Sequence, residues 1–414
     1  MRQTETQTCF HSMKMTLILL ILLLASALVI CISLLVAIQL WFYKSTKRYE
    51  GIPAYGTKNP LLLTWQHYQQ IFRTGKDDPP ASYLFKVASA FATMFQREGV
   101  FFMWIGFEPH VGIYKAEYIK KVINSKLADD KSKHYHIFLP VVGSGLATSS
   151  GNKHTRRRKL LQPAFHSRIL ESYVDVFNGH SLILVNKLKR VTNEPSIDIS
   201  PIIAATALDI LCHTIMGIDI CSQQGKHEAE KYMEAIDGMA DILIHRVARP
   251  WLLSDTIFYF TSVGQQFRKA VKIASDFTRK VTNQRLESLK LEKETNEYNE
   301  NSKRSSKSFL DLLLEHHVQD RSLTLEDVQE EVNTFMFAGH DTSTIAVSWV
   351  LYLLGLHPDV QDKVYQEQLS IFGDNKTAEA TNEDVKAMSY LESVIKETLR
   401  LYPPGSFTGR ENKE

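Results

Sequence analysis

Cysteine is scarce in this chain: four residues in 414, namely Cys9, Cys31, Cys212 and Cys221. No two form a CxxC pair, and their spacing makes no regular framework. That excludes the usual zinc sites and a disulfide scaffold, and favours a reduced compartment for most of the chain. Charge of one sign is also missing. The formal net charge is only +2, so no electrostatic argument supports a nucleic-acid partner. Repeats at solenoid periods are absent. Charged side chains disappear altogether between Met15 and Tyr43, a stretch dense in Leu, Ile, Val and Ala.

A helix over 15–43 would reach about 43 Å at about 1.5 Å per residue, more than the roughly 30 Å hydrocarbon core, and tilt absorbs the excess. A cleaved signal peptide has an apolar region of about 7–15 residues and a small-residue cleavage pattern. This segment is about twice too long and lacks that pattern, so a retained single-pass anchor is expected. Trp41 and Tyr43 stand where an interfacial belt would be. Lys44, Lys47 and Arg48 follow the span, against Arg2 and Lys14 before it. That excess of one cation places the main body in the cytosol.

The remainder has the 44% hydrophobic content of an ordinary globular protein. Gly51, Pro53, Gly56 and Pro60 punctuate a linker. Val100 to Ile105, a turn over Gly106 to Pro109, and His110 to Tyr114 read as a β-hairpin. Beyond about Ala116 the pattern is helical, with apolar residues three and four apart over 170–191 and 197–216. Asn283 to Ser308 is polar enough to be a helix end running into a loop. The expected organisation is a tail at 1–14, the anchor at 15–43, a linker at 44–60, and one mainly α domain with a small β-sheet at 61–414.

Chemistry concentrates in three places. Thr324 to Asp327 fits a helix cap, and a helical pattern then runs to Leu356, where His357-Pro358 breaks it. Its centre, Ala338-Gly339-His340-Asp341-Thr342-Ser343, is costly for a helix: glycine alone costs about 1 kcal/mol in a helix interior, and the three residues after His340 compete for backbone hydrogen bonds. A carboxylate beside a hydroxyl can relay protons through water. The structural alternative is a buried kink whose Thr bonds back to its own helix. Glu397 and Arg400 stand one turn apart, within salt-bridge reach, before Leu401-Tyr402-Pro403-Pro404 ends their helix. Gly151 to Phe165 carries His154 and the run Arg156-Arg157-Arg158, which by charge alone reads as a solvated or membrane-facing surface.

Together these motifs, in this order, resemble the cytochrome P-450 superfamily of haem-thiolate monooxygenases. The resemblance runs from about Gly51 to Arg410. Phe335-Met336-Phe337-x-Gly339-His340-Asp341-Thr342 is most similar to family 4, associated with fatty-acid ω-hydroxylation. The resemblance implies that Asp341 and Thr342 form the catalytic acid–alcohol pair. It further implies that Ala338 and Gly339 let haem and oxygen approach, that Arg158 contacts a haem propionate, and that Glu397 with Arg400 is a structural pair of the haem domain. His154 stands where the family typically has Trp. Ala338 stands where many family 4 members have a Glu able to bond haem covalently, so non-covalent haem is expected.

The implied function is haem-dependent insertion of one oxygen atom from O2 into a lipophilic substrate such as a fatty acid. Electrons would come from NADPH through a reductase, at the endoplasmic reticulum membrane. In the family, the ligand cysteine lies beyond the Glu-x-x-Arg helix in a Phe-x-x-Gly-x-x-x-Cys-x-Gly loop. Gly217 and Cys221 have the Gly-to-Cys spacing, but Thr214 and Gln223 fill the other two positions, and the segment precedes the oxygen helix. No metal ligand is therefore assigned. The expected fold is a P-450 fold incomplete at its C-terminus, and the chain as it stands is expected to be inactive. The alternative is a catalytically dead, membrane-anchored homologue acting through binding. Asn375-Lys376-Thr377 is a glycosylation sequon, unmodified if the body is cytosolic.

Overall fold

The computed structural model describes residues 2–54, 80–105, 108–294, 307–319, 321–375 and 377–412. They divide into two compact units, Met1–Asn124 and Ser125–Glu414.

In the first unit, helix α1 runs over Arg2–Lys47. Its Leu20–Lys47 stretch, 28 residues with mean hydropathy 3.1, is long and apolar enough to cross a membrane. Trp41 and Tyr43 are exposed, while Phe42 between them is buried against Trp104 at 5.1 Å. Helix α2 spans Pro80–Met94. Strands β1 (Val100–Ile105) and β2 (Glu108–Ile113) form the expected antiparallel hairpin, Met103 facing His110. Part of the expected linker, 55–60, lies outside the described residues.

The second unit is helical. Its principal helices are α3 (Gly151–Leu161), α4 (Val174–Arg190), α5 (Ser200–Leu211), α6 (His227–Val247), α7 (Ser262–Glu294), α8 (Phe309–Val318), α9 (Leu325–Leu356), α10 (Pro358–Phe372) and α11 (Ser389–Leu401). A π turn, Cys212–Met216, closes α5, so the apolar pattern read over 197–216 spans two kinds of helix. The loop expected after residue 294 lies outside the described residues. Strands β3 (Asp130–Lys131) and β4 (Arg410–Glu411) pair antiparallel, Lys131 opposite Arg410. The core gathers Leu208 and Met239 with Phe267, Leu310, Val332 and Met336, all at 0% exposure.

The axis of this unit is α9. Its start is fixed by a capping box: Asp327 N–H donates to Thr324 Oγ1, and the Asp327 carboxylate accepts from Thr324 N–H. The helix is uninterrupted to Leu356, so Gly339 does not break it. A Cβ at Gly339 would lie 2.8 Å from Leu211 Cδ1. The missing side chain is thus what lets α5 cross α9 closely at this point.

Candidate active site

Asp341 and Thr342 come from the middle turn of α9, where α6 faces it. Thr342 Oγ1 donates to the Ala338 carbonyl at 2.6 Å. Ala338 and Thr342, four residues apart, share an exposed strip of the helix. The back-bonded threonine of the structural alternative is therefore present, but on an open face. The hydroxyl keeps its acceptor lone pairs for water.

Asp341 is half-buried. Burial first, then the charges of Asp237 and Asp241, push its carboxyl above the usual carboxylate range. Asp237 is raised in the same way by burial and by Asp241. These two acids sit one turn apart on α6. Nothing in the sequence links them to Asp341 except a shared helical face, visible only once α6 is laid against α9. A carboxyl raised by like charges keeps its proton nearer neutral pH, as a proton donor must.

His340 turns the other way. It is 1% exposed, its Nε2–H donates to the Ala204 carbonyl at 3.2 Å, and burial lowers its pKa to about 4. It is a neutral packing residue between α9 and α5. Gly339 also faces α5, through Leu211, and Ala338 is the small residue on the open strip.

The arginine run separates by helical phase. Arg157 is buried, not solvated as its charge alone implied. Its guanidinium bonds Glu331 Oε1 at 3.1 Å and also the Asp327 carboxylate. Arg158, 100° further round the helix, is exposed. His154, one turn earlier, is half-buried. Lys131 N–H donates to Ser150 Oγ at 2.8 Å, tying β3 to the start of α3. The ladder then brings in Arg410.

Burial and the charges of Arg410 and Arg158 lower the Lys131 pKa. Burial, Lys131 and Arg158 lower that of His154, with Asp129 as a weaker opposing charge. Among the described residues, Lys131, Arg158 and Arg410 form no ion pair with a carboxylate. Cations gathered in this way favour an anionic ligand over a cationic one. Lys131 and Arg410 escaped sequence reading because they are 279 positions apart and meet only through a two-residue ladder.

Glu397 and Arg400 form the expected pair, bidentate at 2.7 Å on both arms and exposed to solvent. Tyr402, just past them, stacks on Trp349 of α9 at 3.9 Å. This seats the end of α11 on α9.

A family model described as Cytochrome P450 matches residues 53–414. This chain belongs to the cytochrome P450 family. Among curated relatives it is 39% identical over 305 residues to "Cytochrome P450 4V2" of Pongo abelii, covering 73% of this chain and 58% of that protein. It is 40% identical over 305 residues to the Mus musculus protein of the same name, with the same coverage. Identity to "Cytochrome P450 4c3" of Drosophila melanogaster is 37% over 316 residues, 74% of this chain and 59% of that one. The matches thus span under two thirds of these relatives' length. The resemblance to family 4 is borne out, as is the mainly helical fold with small sheets. The family implies haem, whose two propionate carboxylates suit the cations Lys131, Arg158 and Arg410, with His154 beside them.

Proposed function

We propose that this chain serves a membrane-bound, haem-dependent monooxygenase reaction, placing one atom of O2 into a lipophilic substrate of the fatty-acid class. The supporting observation is the raised Asp341 carboxyl beside the open Ala338–Thr342 strip. Haem, when bound, supplies the iron at which dioxygen is activated, with electrons from NADPH through a reductase partner at the endoplasmic reticulum membrane. Lys131, Arg158 and Arg410 hold the propionates, and His154 joins them when protonated. Burial and the two α6 acids favour the protonated form of Asp341, and Thr342 Oγ1 would pass its proton onward through water.

The same acids orient a substrate. Asp237 and Asp241 on α6 disfavour an anionic head group at this site, so a fatty acid presents its apolar end there. Ala338 offers no carboxylate to esterify, and haem stays extractable.

One observation favours the second reading, a binding homologue without turnover. Cys212 is fully buried against Met336, and burial with Asp209 and Asp219 pushes its thiol up, away from the thiolate. The Cys221 thiol is also raised, by its bond to Asp219.

Two polypeptides decide between them: residues 1–414, and the same residues fused to the length of a relative that the match leaves uncovered. The first is expected to show no thiolate-type carbon monoxide band, and the fusion to show one and to oxidise fatty acids with reductase. A thiolate-type band from 1–414 overturns the ligand assignment. A haem-loaded fusion that oxidises no lipid overturns the substrate class. Aspartate-to-asparagine replacement at 341 in the fusion should lower product per NADPH consumed, by roughly a hundredfold or more if the carboxyl is the general acid.

A further inference from the structure

Two neighbouring carboxylates near the start of α9, Glu330 and Glu331, hold the chain that leads into α3. Glu330 Oε1 accepts from the Ser144 N–H at 3.0 Å and from the Ser144 hydroxyl at 2.9 Å. Glu331 Oε2 accepts from the Leu146 N–H at 3.1 Å, and its other oxygen from Arg157 Nη1 at 3.1 Å. Gly145 permits this close approach: a Cβ there would lie 2.5 Å from Thr334 Oγ1 and 2.9 Å from the Glu330 carbonyl oxygen. Helix α3 itself reaches α9 through cations. Lys153 bonds Glu330 Oε2 at 3.1 Å from an exposed position, whereas Arg157 makes its contacts buried.

Stability alone does not account for a buried ion pair, because apolar side chains of similar volume often serve as well or better. Geometry does. The Arg157 guanidinium donates to Glu331 Oε1, to the Asp327 carboxylate and, at 3.1 Å, to the Asp327 carbonyl. A planar fork held on several acceptors cannot slide along α9. Arg158, the next residue, belongs to the cation group with Lys131 and Arg410. Lys131 is tied in turn to Ser150, at the start of the same helix. Asp341 stands ten residues beyond Glu331, about 15 Å along an uninterrupted α9. One buried contact therefore references the cation group and the acid–alcohol pair to each other.

We propose that Glu331, acting through Arg157, is a positioning residue for the reaction: it fixes where the cation group stands relative to Asp341 and Thr342. The proposal rests on the functional reading, in which those cations hold the haem propionates. Lys131, Arg158 and Arg410 set how tightly that group is held, and the Glu331–Arg157 brace sets where. Retention and turnover should therefore separate. A displacement of about 1 Å at a reacting centre can cost about a hundredfold in rate.

The test uses R157M/E331Q, which cuts the brace, keeps an acceptor for the Leu146 N–H and strands no buried charge. Nitroxides at Lys159→Cys and Ser343→Cys, both exposed positions, report the distance between α3 and α9 by double electron–electron resonance on the full chain. Cys9, Cys31 and Cys221 are replaced by serine, and Cys212 is fully buried. The parent is expected to give one narrow distance, and R157M/E331Q a broader or displaced one. R157K, which restores a charge without the fork, should recover part of the difference. In the extended fusion, R157M/E331Q should keep its haem against transfer to apomyoglobin yet lose about tenfold or more in product per NADPH, with KM little changed. A distance distribution identical to the parent's overturns the proposal. So does loss of haem in step with loss of product, which marks a purely structural pair. A parent fusion that holds haem and yields no product sinks the functional reading instead, and leaves the distance measurement standing.

Discussion

Replacing Arg157 by methionine leaves a carboxylate stranded. Glu331 has no exposed surface; Arg157 Nη1 at 3.1 Å and the Leu146 N–H at 3.1 Å both favour its charged form. Even with these partners, burial holds its pKa above the ordinary value. Methionine fills the space of the arginine stem without its charge. Removing one partner of a buried pair costs about 3–5 kcal/mol. For a unit of this size that corresponds to a fall in Tm on the order of 10 °C.

The sign of the pH dependence follows. A carboxyl whose folded pKa is raised is best tolerated when protonated. The penalty is therefore absent below the unfolded value, about 4.3, and grows as pH rises through the folded one. Thermal unfolding followed by far-UV circular dichroism should show R157M losing more stability at about pH 8 than at about pH 5. The double variant R157M/E331Q should recover most of the loss, since glutamine still accepts from Leu146 N–H. A loss under about 1 kcal/mol, or an equal loss at both pH values, would refute the reasoning.

Three further outcomes are expected. His340, lowered to about 4, contributes stability that is complete above the unfolded value near 6.5 and is lost as pH falls from there towards 4, on the order of 3 kcal/mol in all. H340Q should flatten that acid limb in the same unfolding assay, and an unchanged limb argues against the assignment. R158L and R410L in the extended fusion should each weaken haem retention in a transfer assay to apomyoglobin, whereas R156L, whose arginine bonds the Ser322 carbonyl, should not. Asn375 lies in an exposed Asx turn, its Oδ1 accepting from the Thr377 N–H and hydroxyl. With the main body cytosolic, endoglycosidase treatment leaves the mobility of the chain unchanged, and a shift would reverse the orientation.

Where the sequence was informative, local physics was sufficient. The capping box at Thr324, the stop at His357-Pro358, the hairpin and the Glu397–Arg400 pair all rest on residues within a few positions of each other. What the sequence concealed depended on packing. Arg157 and Arg158 are adjacent and equally charged, yet helical phase buries one and frees the other. Gly339 reads as an opening toward a cofactor, but its missing Cβ faces Leu211. Asp237 and Asp241 acquire meaning only through the neighbour that α6 is laid against.

The ladder between β3 and β4 has a kinetic consequence. It closes a loop of some 280 residues with two residue pairs, and loop closure costs entropy that only a folded core between the ends can offset. The helices between them must therefore condense first, and the ladder zips last. Lys131 and Arg410 meet only at that final step. On the proposed haem-binding reading, this cation group is complete only once nearly all of the described chain has emerged and packed, so haem capture through it would follow folding.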